Sequence, residues 1–170
     1  MGKSIPDLSA VTTVGLDLAK HVFQVHGVDA SGRVVVAKAM RRKKLLEFFA
    51  SLPACLVGLE ASGSAHYWAR ELIRLGHEAR MMLPAYVKPY VRRQKNDSAD
   101  AAATCEAVAR PSMRFVSVRS LENQATLMRD KTREMLVLQR TQLLNGLRGH
   151  LTEVGVIAAR GPDTPASWLS

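Results

Sequence analysis

The chain has 170 residues, of which 47% are hydrophobic, so it is long enough to bury the core of one compact domain with an appendage. Its 24 Lys and Arg outnumber its 15 Asp and Glu, and the net charge of +9 favours a polyanionic partner. No apolar run reaches the roughly 18 residues of a membrane span, and the N-terminal sequence lacks the pattern of a secretory signal. Cys55 and Cys105 form neither a disulfide framework nor a zinc motif, so a reducing cytoplasm is expected.

Residues 1–10 are predicted to be a flexible lead-in, and residues 11–118 alternate short β-rich runs with amphipathic stretches. The predicted strands cover 11–18, 23–29, 33–39, 54–60 and 78–84. The predicted helices cover 43–52, the segment from Ser62 or Ser64 to Gly76, 85–93 and 97–109. This order predicts an α/β domain with a mixed five-stranded sheet and helices on its faces.

Residues 119–158 change to a helical pattern, and residues 159–170 form a proline-containing tail. Seven-residue spacing relates Val137, Leu144 and Leu151, with Leu147 and Val154 three residues after the last two. This pattern predicts a coiled-coil segment, although Arg140 interrupts it. Two arrangements remain open: a hairpin broken near Gly146 and Gly149, or a helix over 121–156 that forms a homodimer or a higher oligomer.

Four acids occupy positions that suggest chemistry. Asp17 lies inside an apolar strand, and Glu60 closes another. Asp97 and Asp100 share one face of a predicted helix. Each could be an ordinary structural acid, but their occurrence together at the ends of core elements favours a metal site. Carboxylate oxygens are the ligands that Mg²⁺ prefers, and two such ions about 4 Å apart would clamp a phosphodiester.

A known family carries the same strings. The sequence resembles the N-terminal domain of the DEDD transposases of bacterial insertion sequences, the insertion-sequence 110 group related to Piv-type invertases. The resemblance rests on VGLDLAK, FQVHGVD, GLEASG and KNDSADAAA. It implies a ribonuclease-H-like, RuvC-type fold in which the first strand lies beside the fourth. It also implies a catalytic, metal-binding set that acts on DNA with Mg²⁺ or Mn²⁺ in a bacterial cytoplasm. That set is Asp17, Glu60, Asp97 and Asp100.

Members of this family continue into a second domain with a catalytic serine, whereas this sequence ends at Ser170. A truncated member is therefore expected, and full recombination is not expected of these 170 residues alone. The alternative is a non-catalytic nucleic-acid-binding or dimerisation remnant of a transposase. Actin-like ATPases are disfavoured because the sequence has no glycine-rich phosphate loop.

Two basic clusters are predicted to contact nucleic-acid phosphates. One leads into the Asp97 segment, and the other opens a helix, where the helix dipole disfavours cations. The resemblance implies a structured guide RNA, so either cluster could contact RNA instead of DNA. The first cluster is Lys88, Arg92, Arg93 and Lys95, and the second is Arg41, Arg42, Lys43 and Lys44.

Overall fold

The structure is a computed structural model that describes residues 7–91 and 97–158, with only the backbone described for Asp97. It divides into two units, Met1–Arg119 and Ser120–Ser170. Among the described helices, none combines the length and the apolar composition needed to cross a bilayer.

The first unit is built on a mixed six-stranded sheet with the order β3-β2-β1-β4-β5-β6. Strand β1 pairs in parallel with β4, and β4 with β5, whereas the other three pairings are antiparallel. The five predicted strands form, but the five-stranded expectation misses β6, because two residues are too few for a periodic pattern. The strands are β1 Thr13–Asp17, β2 Val22–Val28, β3 Val34–Arg41, β4 Leu56–Glu60, β5 Glu78–Met82 and β6 Phe115–Val116.

The described part of the first unit contains four helices. Helix α3 begins at Pro84, since proline is favoured in the first turn of a helix. A 3-10 turn over Lys88–Tyr90 follows it. A 3-10 turn over Arg42–Lys44 precedes α1. The helices are α1 Leu45–Ala50, α2 Ala65–Arg74, α3 Pro84–Val87 and α4 Asp97–Val108.

Both faces of the central strands are covered, which explains why their sequences are continuous apolar runs rather than alternating ones. One buried cluster joins β1 and β4 to α1 and α2 through residues such as Leu16, Leu59, Phe49 and Leu72. The second cluster involves α4, which is rich in alanine and so lies close to the sheet.

The second unit contains α5, a single helix over Leu121–Glu153. The Ser120 side chain caps it by accepting a hydrogen bond from the backbone N–H of Asn123 at 3.1 Å. The helix runs through Gly146 and Gly149 without interruption, so the hairpin alternative is wrong. None of its residues is buried, and the coiled coil remains a prediction.

Candidate active site

Asp17 and Glu60 end two strands that are parallel neighbours, which is the strand arrangement implied by the resemblance. Leu16 is paired with Leu59 in this ladder, so the two acids follow at equivalent positions at the carboxyl end of the sheet. Equivalent positions of neighbouring strands present their side chains on the same face. The two carboxylates therefore lie side by side.

Two glycines identify the face on which these acids lie. A Cβ atom at Gly15 would overlap the carbonyl oxygen of Ala101, and one at Gly58 would lie 2.8 Å from the Cβ of Val108. Both contacts are with α4. Because side chains alternate along a strand, the acid two residues beyond each glycine also points to the α4 side. The repeated pattern VGLD and VGLE is the sequence signal of this close approach.

The direction of α4 brings its first turn to the acids. Ala101 lies over Gly15, whereas the Cys105 thiol, one turn later, is 3.7 Å from the carbonyl oxygen of Thr13. Helix α4 therefore runs antiparallel to β1, and its N-terminal end lies at the carboxyl end of the sheet.

The packing of α4 on the sheet also brings Asp100 close to Glu60. The carbonyl oxygen of Thr104 lies 3.0 Å from where a Cβ at Gly58 would be. Asp100 precedes Thr104 by one turn, about 6 Å along the helix. Glu60 is two residues beyond Gly58, a similar distance of about 6.6 Å along the strand. The two carboxylates thus project toward the same region.

The electrostatics of Glu60 reflect this grouping. Burial raises the pKa of its carboxyl group above the ordinary value, and the negative charges of Asp17 and Asp100 raise the pKa further. The three groups are close enough for each ionised neighbour to disfavour ionisation of Glu60. Such a group of carboxylates gains free energy by binding a proton or a cation.

The side chains as placed do not form a complete ligand set. In the described part of the chain, no three His, Cys, Asp or Glu side chains lie close enough to hold one metal ion. Asp97 begins α4, but its side chain is outside the described residues. The chemistry of the donors nevertheless fits a hard divalent cation, since all of them are carboxylates that repel one another.

A basic cluster lies at the same end of the sheet as the acids. It consists of Arg41, Arg42, Lys43 and Lys44. Strand β3 runs in the same direction as β1, since each is antiparallel to β2, so β3 also ends at the carboxyl edge. Two strand spacings, about 10 Å, separate β3 from β1. Lys44 is paired with Glu47 at 2.8 Å, which partly neutralises its charge.

The first basic cluster is described only at Lys88, which is exposed in the 3-10 turn that follows α3. Arg92, Arg93 and Lys95 lie outside the described residues. Their contacts with nucleic acid therefore stay predictions.

Two polar residues near Asp17 were not predicted from the sequence. Gln24 is paired with Asp17 in the β1–β2 ladder, and directly paired residues share a face of the sheet. Lys20 is exposed in the turn between these strands. The short spacing from Asp17 could have identified Lys20, whereas Gln24 is recognised only from the pairing register.

Known proteins resemble this chain over most of its length. Residues 14–156 match the family of DEDD transposases of the IS110 type. A Pseudomonas aeruginosa protein named "Probable family 20 transposase" is 53% identical over 150 residues, which cover 88% of this chain and 44% of that protein. The transposase for insertion sequence element IS1328 of Yersinia enterocolitica is 38% identical, over 89% of this chain and 45% of that protein. The transposase for IS1111A of Coxiella burnetii is 40% identical, over 89% of this chain and 42% of that protein. The chain thus spans less than half the length of these relatives.

Proposed function

Because the chain belongs to the IS110-type DEDD transposase family, we propose that its first unit is a ribonuclease-H-like, RuvC-type domain that acts on DNA phosphodiesters in transposition. The observation that carries this proposal is the juxtaposition of Asp17 and Glu60 at the ends of adjacent parallel strands, against the helix that bears Asp100. Burial, and then the charges of Asp17 and Asp100, raise the pKa of Glu60 in this position. A fold gains little by placing like charges together, whereas a site for a divalent cation requires it.

The sheet topology supports the proposed fold. An antiparallel β1–β2–β3 meander continues through parallel β4 and β5, with the acids at the carboxyl ends of two adjacent parallel strands. Ligand sites commonly lie at the carboxyl ends of parallel strands.

Asp17, Glu60, Asp97 and Asp100 would hold Mg²⁺ or Mn²⁺. When bound, such an ion supplies Lewis-acid stabilisation of the attacking and leaving oxygens of a phosphodiester. The carboxylates would hold that ion at the carboxyl end of the sheet, where the strand and helix acids converge. The close approach of α4 at Gly15 and Gly58 determines the separation of the strand and helix acids.

DNA is the proposed substrate, and the basic residues are the proposed contacts to its backbone. Arg41–Lys44 lie about 10 Å from the acid-bearing strand β1, close enough for one nucleic-acid backbone to contact both. A structured guide RNA is the proposed second partner for the same cations, since their attraction is to phosphate. Lys88, Arg92, Arg93 and Lys95 are proposed to continue this surface.

Helix α5 is proposed to pair with the same helix of a second copy as a coiled coil. Val137 and Val154 are 53% and 73% exposed, although both belong to the predicted apolar stripe. Pairing would remove that stripe from water. More than half of each relative lies outside the match, and full recombination is proposed to require that portion with its serine.

A non-catalytic nucleic-acid-binding or dimerisation module is the second candidate. It is favoured by one observation, that no three ligating side chains of the described residues lie within reach of one ion. Such a module would retain the basic surface and α5 but would be indifferent to divalent metal.

Mn²⁺ titration of the full chain by calorimetry separates the two candidates. We expect the unsubstituted protein to bind Mn²⁺ and Asp17→Asn to lose that binding. Glu78→Gln is the matched control, because Glu78 begins β5 at the opposite edge of the sheet, and it should bind as the unsubstituted protein does. Equal binding by Asp17→Asn, or no binding by the unsubstituted protein, would reject the metal site and leave the non-catalytic module.

A further inference from the structure

Arg42 is held in place by two aromatic rings at the corner between β3 and α1. Its guanidinium carbon lies 5.0 Å from the ring centre of Trp68 and 5.6 Å from that of Phe23. Both rings are buried, at 4% and 0% exposure, and they pack edge to face 5.1 Å apart. The two rings are nearly perpendicular, so the guanidinium can stack its flat face on only one of them, and it keeps its N–H edge for other partners.

The backbone of Arg42 is also tied to the acidic site. Its N–H donates to the carbonyl oxygen of His21 at 3.0 Å. His21 ends the turn between β1 and β2, and that turn directly follows Asp17. The corner and the end of β1 are therefore joined by a short, hydrogen-bonded path.

Among the described residues, no carboxylate lies within ion-pair distance of Arg42, whereas its neighbour Lys44 is paired with Glu47. Arg42 opens the 3-10 turn that leads into α1, without a side-chain cap. Positive charge is unfavourable at the start of a helix. Three cations, Arg42, Lys43 and Lys44, accumulate there at a local electrostatic cost, which an anionic ligand would offset.

We propose that Arg42 is a pre-positioned contact for a nucleic-acid phosphate, and that Trp68 is the positioning residue that holds it. A rigid, unpaired guanidinium presents two parallel N–H donors, which match the oxygens of a phosphate group. Its neighbours Arg41 and Lys43 contribute charge without a comparable aromatic support in the described structure. Phe23 neighbours Gln24, which shares the face of Asp17, so Arg42 and its two rings lie on the opposite face of the sheet, and the phosphate that Arg42 holds would lie at the same end of the sheet but across it from the acids. This inference rests on the proposed nucleic-acid function but not on the metal.

The test measures binding of the full chain to a labelled DNA duplex and to a labelled RNA hairpin, in buffer with a chelator. Arg42→Lys keeps the charge but loses the planar, two-donor group. We expect it to weaken binding several-fold. The matched control is Arg80→Lys, because Arg80 also lies over an aromatic ring, that of Phe115, but is paired with Glu78, and this variant should bind as the unsubstituted protein does. Arg42→Gln should reduce the magnitude of the slope of log affinity against log salt by about one, which is the contribution of one phosphate contact. A purely structural cation–π contact would lower the melting temperature without moving that slope.

Weaker binding to DNA alone, to RNA alone or to both supports the phosphate contact and identifies the nucleic acid that uses it. Equal affinity of Arg42→Lys and Arg80→Lys, an unchanged salt slope in Arg42→Gln, or no binding by the unsubstituted protein would overturn the inference. Thermal unfolding of each variant checks that it is folded, and Trp68→Phe, which keeps a ring, should show an intermediate loss. Because the buffer contains a chelator, nucleic-acid binding is measured without divalent metal. A negative result for Arg42 therefore does not bear on the Mn²⁺ titration, and a negative Mn²⁺ titration does not bear on Arg42.

Discussion

Asp17 and Glu60 end adjacent parallel strands, each two residues after a glycine on the α4 side, and the charge of Asp17 contributes to the raised pKa of Glu60. The glycines remove the side chains that would otherwise keep the helix away from the sheet. The acids then meet the first turn of that helix. A site of this kind opposes local stability, since it concentrates like charges where the packing is closest.

Replacing Glu60 by Gln should stabilise the protein near neutral pH. The folded-state pKa of Glu60 is raised, so the folded state binds its proton more tightly than the unfolded state does. Stability is therefore lost as pH rises through the ordinary pKa and the folded pKa. Gln removes that loss, and the gain in melting temperature should be present at about pH 8 and absent at about pH 3. Thermal unfolding at both pH values measures it, and a gain that is equal at the two values would contradict the shared charge.

Gly15→Ala should destabilise the first unit. The added Cβ would overlap the Ala101 carbonyl oxygen, which is backbone and cannot rotate away. The expected loss is about 1–3 kcal/mol or more, as for other overpacked sites. Denaturant unfolding measures it. Gly63→Ala is the control, because a Cβ at Gly63 meets nothing within 4 Å, and its change should stay within about 0.5 kcal/mol. Equal effects of the two variants would mean that α4 does not depend on close packing.

Leu147→Glu should abolish self-association through α5, because Leu147 belongs to the seven-residue stripe and is 41% exposed. Leu138 is the control. It is 63% exposed but lies about 100° around the helix from Val137, off the stripe. Sedimentation of the full chain and both variants decides the matter. A monomeric unsubstituted chain, or a Leu138→Glu variant that dissociates equally, would show that the stripe is not the dimer contact.

His66 should make the stability of the first unit depend on pH. Its Nδ1 accepts the backbone N–H of Arg119 at 3.1 Å, while Arg70 donates to the carbonyl oxygen of Arg119 at 2.8 Å. Burial, then the charges of Arg119 and Arg70, lower the pKa of His66. The unfolded state therefore takes up the proton first, and stability is lost as pH falls below about 6.5 toward the folded pKa.

His66→Gln keeps a hydrogen-bond acceptor that does not titrate. The fall in melting temperature between about pH 7.5 and pH 5 should be smaller in this variant. Burial also lowers the pKa of His26, but His26 is present in both proteins and cancels in the comparison. Identical pH profiles would show that the contact with Arg119 does not depend on the charge of His66.

Most elements of the fold could be predicted because their signals are local. The apolar run over 54–60 predicts a buried strand, and β4 occupies Leu56–Glu60. The helical pattern after residue 119 predicts α5, which begins at Leu121 after the Ser120 cap. Strand β6 was missed since only its pairing with β5 makes it a strand. Whether the helix breaks at Gly146 and Gly149 also depends on a short segment. Helix propensity alone could not decide between a hairpin and a continuous helix, because a glycine costs only about 1 kcal/mol in a helix interior.

The sequence by itself determined which residues are acidic at strand ends and helix starts, because residue type and periodicity are properties of short segments. It could not determine that Asp17 lies beside Glu60, that Asp100 adds its charge to the same site, or that Arg42 lies over Trp68. Those relationships join residues 26 to 83 positions apart in the chain. They arise from the pairing of β1 with β4 and from the close packing of α4 on these strands. Such contacts form only when the whole sheet is assembled. Tertiary structure therefore decided which of the predicted residues meet.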